Sequence, residues 1–212
     1  MLKSRTLLLI LFVLVSFNRL SSSGLKRVNA GHPTAKSNNN NLPDPVIKKL
    51  QLKAADAKKF VQKTGYNDVI CFLVDMSPSS GQNRFFIYDL KKDTLKNKGL
   101  VTHGRCNEDW LEGRKYGNTI GCGCTSLGKY RIGQSYNGRF GLAYKLFGLE
   151  KTNDNAYKRF VVLHAHECVP EAEVEDEICQ SDGCPTISTG LLQYIKPIID
   201  VSNKPVLLWI YE

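Results

Sequence analysis

The sequence predicts a mainly β domain with a leading α-helix. Three observations carry this reading. A helical apolar stripe begins just after an Asn-rich stretch. From residue 69 to the C-terminus, short apolar and β-branched segments recur. Between Gly104 and Gly148, glycines punctuate the chain, as turns and close backbone approaches require.

The helix is expected to start at Asp44-Pro45, an N-cap followed by proline at the first helical position. Val46, Ile47, Leu50, Ala54, Ala57, Phe60 and Val61 recur at helical spacing, while Lys48, Lys49, Lys58 and Lys59 fall mostly on the other face. Such a stripe covers a core rather than a membrane. Gly65 suits the stop. Strands follow at Val69–Val74 and Arg84–Leu90, with Thr94–Thr102 as a hairpin partner across Lys91-Lys92-Asp93. Further strands are expected at Gly128–Ile132, Arg159–His164 and Val206–Tyr211, and a second helix at Thr189–Ile195.

Three segments are expected along the chain: a signal peptide over 1–23, a disordered Asn-rich linker over 24–43, and one domain over 44–212. Lys3 and Arg5 precede an unbroken apolar run from Leu7 to Val15, and small polar residues follow. That run is too short to span a bilayer, so it reads as an export signal, with no stable membrane insertion after cleavage. The net charge of +9 falls to +6 once Lys3, Arg5 and Arg19 are removed. The remaining cations are dispersed and no nucleic-acid motif accompanies them, which argues against a nucleic-acid partner. A basic exported domain suits an anionic polymer such as a cell wall.

Seven cysteines in an exported chain leave at least one outside intramolecular pairing. Cys168 and Cys179 bracket an acidic loop and form one candidate disulfide. Cys106 with Cys122 or Cys124 forms another. Cys71, in an apolar strand, reads as a buried thiol.

Two constellations bear chemistry. Val161 to Cys168 has strand composition, and alternation places His164, His166 and Cys168 on one face if the strand continues past His164 that far. These residues fit a catalytic histidine, a metal site with a thiolate, or a structural histidine pair; Cys122-Gly-Cys124 lacks the usual zinc-knuckle spacing. Farther on, Ser181-Asp182-Gly183-Cys184-Pro185 sets a thiol beside a glycine that frees the backbone and a proline that extends it. A thiol, a nearby histidine and free N–H groups are what acyl transfer needs. The alternative is a turn with a disulfide cysteine.

The stretch from Ser126 to Pro185 resembles the murein L,D-transpeptidase catalytic-domain family, the YkuD-like group. The matching pieces are Ser126-Leu127-Gly128, Gly133 to Gly138, Gly141, Leu146-Phe147-Gly148-Leu149-Glu150, Asn153-Asp154-Asn155-Ala156, Arg159, Val161-Val162-Leu163-His164 and Ser181-Asp182-Gly183-Cys184-Pro185. Arg84 to Leu90 and Val101-Thr102-His103-Gly104 also resemble strands that open that domain. The resemblance implies a sandwich- or barrel-like β domain with Cys184 as nucleophile and His164 as base. It implies that Ser181 and Gly183 shape the loop, and that the Gly183 and Cys184 N–H groups are oxyanion donors. Three positions depart from the family pattern: Ala165 stands where glycine is usual, His166 is a second histidine, and Pro185-Thr186 lacks the arginine that contacts a substrate carboxylate.

The implied reaction is cleavage of the diaminopimelate–D-Ala bond of peptidoglycan tetrapeptide stems, with transfer of the acyl group to an amine or to water. It needs no metal or organic cofactor. The implied location is the periplasm or cell wall. The alternatives are a non-catalytic wall-binding relative and a disulfide- or metal-stabilised exported domain. A reactive thiolate of low pKa is expected at Cys184, left unpaired despite the six other cysteines.

Overall fold

A computed structural model describes residues 42–212. The expected signal segment, and residues 24–41 of the expected linker, lie outside the described residues.

The leading helix α1 spans Asp44–Thr64. Pro43, not Asp44, occupies the N-cap and makes no side-chain cap bond. Its ring fixes an extended entry at φ −57°. Asp44 falls in the first turn instead, where its carboxylate complements the helix dipole. Gly65 ends the helix in the left-handed conformation and donates its N–H to the Val61 carbonyl. The buried stripe Leu50, Ala54, Ala57 and Val61 packs on Cys71, Leu73, Phe86, Tyr88 and Leu207. Burying each Leu or Val there contributes about 2 kcal/mol.

Eight strands form one mixed sheet: β1 (Ile70–Asp75), β2 (Phe85–Asp89), β3 (Thr94–Gly99), β4 (Gly128–Gly138), β5 (Gly141–Gly148), β6 (Val162–Ala165), β7 (Thr186–Ile187) and β8 (Leu207–Tyr211). Their order is β3-β2-β1-β8-β4-β5-β6-β7. β1 runs parallel to β8 and β6 parallel to β7; the other pairings are antiparallel. The ends of the sheet meet. Val101, just past β3, bridges Ile187 of β7, and Thr102 N–H bonds the Thr186 carbonyl at 2.9 Å. The curled sheet encloses a core that includes Phe72, Val74, Phe85, Ile87, Tyr130, Leu146, Leu163 and Leu208. Alternation explains why β1 is buried on both faces: Phe72 and Val74 point into the curl, while Cys71 and Leu73 meet α1. The fold is therefore the mainly β domain with a leading helix that the sequence predicts.

The second helix, α2, runs from Thr189 to Asp200 rather than stopping at Ile195. Pro197 sits inside it. The ring forfeits one helical bond, but Leu191, Leu192 and Ile195 are buried in the main core and Ile198 and Ile199 pack against it. Ser188 caps the N-terminus, accepting the Leu191 N–H.

β5 ends at Gly148, where a Cβ would lie 1.8 Å from the backbone oxygen of Asn153. Asn153 is fully buried and ties the turn to β4 through the Lys129 carbonyl at 2.8 Å. Gly148→Ala is expected to cost about 3 kcal/mol, since backbone cannot yield as a side-chain end can. Urea denaturation measures it, and a loss below about 0.5 kcal/mol would contradict the packing argument.

Candidate active site

Backbone pairing places the nucleophile loop. Ser181 N–H bonds the His103 carbonyl at 2.9 Å, and Arg105 N–H bonds the Ser181 carbonyl at 2.8 Å. Gly183 has φ +104°, and a Cβ there would lie 2.6 Å from the Cys124 carbonyl oxygen. Both conditions demand glycine. Ser181 Oγ accepts the Gly183 N–H at 3.2 Å and donates to the Cys184 carbonyl at 2.7 Å. Thr102 Oγ1 donates to the same carbonyl at 3.2 Å. Cys184 is thus held by its own backbone.

The half-buried Cys184 thiol lies between two backbone groups. Its Sγ accepts from Val162 N–H at 3.4 Å and donates toward the Phe160 carbonyl at 3.8 Å. Phe160 adopts φ +57° at the end of a turn closed by the bond from Val161 N–H to the Ala156 carbonyl. Glycine is the usual residue at such a position, yet here a phenylalanine stands 84% exposed. Burial pushes the thiol above its ordinary pKa; Val162 N–H and Arg159 oppose this, and Asp182 adds to it. The low-pKa thiolate expected from the sequence is therefore replaced by a neutral resting thiol, because desolvation outweighs the nearby guanidinium.

His164 is buried at the end of β6. Its Nδ1 lies 3.0 Å from the Ala165 carbonyl, which can only accept, so Nδ1 carries the proton and Nε2 is the basic nitrogen. Nε2 accepts from Thr186 Oγ1 at 3.1 Å. Burial lowers the His164 pKa, the Ala165 carbonyl opposes that, and His166 adds to it, so the ring rests neutral. His166 has the opposite tautomer, its Nδ1 accepting the Cys168 N–H at 3.1 Å. Phe140, at the tip of the β4–β5 hairpin, stacks on His164 at 5.0 Å and meets His166 edge-on at 5.3 Å.

Cys184, His164, His166 and Ser181 line one cleft of about 220 Å³, together with Arg105, Asp182 and Thr186. Gly183 does not line it. Of the two candidate oxyanion donors, Gly183 N–H is engaged by Ser181, whereas Cys184 N–H has no hydrogen-bond partner among the described residues. No histidine nitrogen lies within hydrogen-bond distance of Cys184 Sγ in this state. Phe140, Phe160, Thr186 and Arg105 escape the sequence reading. The two exposed phenylalanines, 50% and 84% accessible, become conspicuous only once exposure is known. His103 is buried, with Nδ1 3.3 Å from the Arg84 guanidinium. Burial and the Arg114 and Arg84 charges push its pKa down to about 4.

Cys106–Cys124 and Cys168–Cys179 are disulfides, and Cys71, Cys122 and Cys184 are free. The first bridge selects Cys124 over Cys122, and the second removes the Cys168 thiolate from any metal set. Among the described residues, no group of three or more metal-ligating side chains converges.

A thiol on a glycine-supported loop, sharing a cleft with a strand histidine in a curled β-sheet, makes this a candidate cysteine acyl-transfer domain. Residues 43–211 match the family model described as the L,D-transpeptidase catalytic domain, and the chain belongs to that family. No curated protein matches the chain. Two solved structures are similar, both of the helical cell shape determining protein Pgp2 from Campylobacter jejuni, one of them a point mutant. Identities are 15% and 16%, each over 69% of this chain, with a TM-score of 0.45 in both cases. The match covers 48% and 49% of those chains, so this chain aligns with about half of their length.

Proposed function

We propose that the chain is an exported peptidoglycan L,D-transpeptidase acting on tetrapeptide stems. The observation that supports it best is the unpaired Cys184 thiol, held by Val162 N–H and the Phe160 carbonyl in the same cleft as a neutral His164. Membership of the L,D-transpeptidase catalytic-domain family supports the substrate class. Among the described residues no helix is long and apolar enough to cross a membrane. The basic segment and apolar run at the N-terminus support export.

In the proposed reaction, His164 Nε2 leaves Thr186, takes the Cys184 proton, and Sγ attacks the carbonyl at the L-centre of diaminopimelate. Cys184 N–H stabilises the oxyanion. Collapse expels D-alanine, whose amine receives the proton back from His164, and a thioester remains. An amine from a second stem gives a crosslink; water gives a shortened stem. Incubating the mature protein with disaccharide tetrapeptide, and reading products by mass, tests this. Free D-alanine with a dimer or tripeptide product is expected. Bound but uncleaved stem would instead make the protein a wall-binding relative.

The protonation states predict the pH profile. The active form has a neutral imidazole, so kcat/KM should rise with pH through a step below the ordinary histidine range, about 6.5. It should stay flat until above the ordinary thiol range, about 8.5. A descending limb near neutrality would indicate a thiolate–imidazolium pair and contradict the reading.

A further inference from the structure

The Cys184 cleft is lined by one guanidinium, and we propose that this group, Arg105, recognises the terminal carboxylate of the residue that leaves Cys184, a role that rests on the reaction proposed above. The position just after Cys184-Pro185 offers no cation, because Thr186 is buried with its hydroxyl on His164. Arg159, the other guanidinium near the loop, is spent: it bonds the Gly117 carbonyl, Ser126 Oγ and the Cys124 carbonyl. Lys196 belongs to a neighbouring cleft and is paired with Asp200 at 2.5 Å.

Arg105 is placed by the backbone. Its N–H bonds the Ser181 carbonyl at 2.8 Å, so the guanidinium starts from the segment that holds the nucleophile loop. Nε donates to Asp182 Oδ1 at 2.8 Å and Nη1 to the Glu108 carbonyl at 3.1 Å. Nη2 has no hydrogen-bond partner among the described residues. Two of five N–H donors are therefore used and the plane is fixed, with the remaining donors able to grip a carboxylate. The side chain is 40% exposed, so an incoming anion reaches it without displacing protein. One residue advances the chain by about 3.8 Å, so the carboxylate of a single leaving residue stays within the cleft. A stem that continues past that residue puts an uncharged amide there. Arg105 thereby makes the site select stems that end one residue after the scissile bond. Asp182 competes for the same guanidinium and tempers its affinity.

The test compares a tetrapeptide stem ending in a free carboxylate with the same stem ending in a carboxamide. The wild-type chain is expected to prefer the free acid by about 10- to 100-fold in kcat/KM, the usual reach of a charge-assisted bidentate contact. Arg105→Gln should erase that preference, chiefly through KM; Arg105→Lys should restore part of it. Asp182→Asn should strengthen it. Binding of both stems to full-length Cys184→Ser, with and without Arg105→Gln, gives a readout independent of turnover. Equal affinity for acid and amide, or a preference that survives Arg105→Gln, overturns the assignment. Absence of wild-type turnover alongside an Arg105-dependent preference in binding would overturn the reaction and leave the carboxylate site standing.

Discussion

Cys184→Ser is expected to lower turnover of the tetrapeptide stem by on the order of 10⁴-fold or more, the scale seen when a covalent nucleophile is removed. Serine keeps the Val162 N–H and Phe160 carbonyl contacts within reach, so the domain should fold unchanged. What it loses is acidity: a hydroxyl gives up its proton far less readily to a neutral imidazole than a thiol does. A carbapenem offers a second measurement, since a thiol acyl-enzyme adds a fixed mass that intact-protein spectrometry reads. The adduct should form on the wild-type chain, vanish in Cys184→Ser, and persist in Cys122→Ser. The other free thiols make this discriminating. Cys71 is wholly buried under α1, and burial pushes its pKa far up. Cys122 lies beside the Cys106–Cys124 bridge, 3.5 Å from the Cys124 N–H, and outside the Cys184 cleft. An adduct that moves to Cys122, or turnover that survives the serine, would displace Cys184 as nucleophile.

The strands that bury regular apolar runs were legible in the sequence. β1, β2 and β8 fall within a residue of their expected starts, because their side chains face a core on one or both sides, whereas the mostly polar β3 was legible from the turn at Lys91-Lys92-Asp93. β5 was not legible. Gly141 to Gly148 begins and ends in glycine, and that local signal hid a strand whose partners, β4 and β6, are distant in sequence or joined by a tight turn. β7 has two residues and exists only because Thr186 and Ile187 close the curl against Val101. The helix past Pro197 likewise rests on tertiary burial overriding local preference. At the site, composition and order gave the loop and the histidine strand, since both lie in short contiguous motifs. Arg105 and Phe140 come from remote segments, so only the pairing of Arg105 with Ser181 and the reach of the β4–β5 hairpin bring them to the cleft.

His164→Ala is expected to cost 10²- to 10⁴-fold in kcat, the range for loss of a positioned general base, whereas His166→Ala should cost less than about tenfold. The tautomers decide between the two histidines. His164 spends Nδ1 as a donor to the Ala165 carbonyl and leaves the Nε2 lone pair to the Thr186 hydroxyl, a side-chain donor that can rotate away. His166 uses its Nδ1 lone pair on the Cys168 N–H, a backbone donor that no side-chain rotation releases, so in that tautomer the proton sits on Nε2. Stacking on Phe140 further restrains the His164 plane. The acid limb of the pH profile supplies the independent check. It should disappear in His164→Ala and stay in His166→Ala, because the titrating group is the base itself. If His166→Ala removed both the limb and the rate, the proton would be leaving through the second histidine, and the Cys168 N–H contact would have to break during turnover.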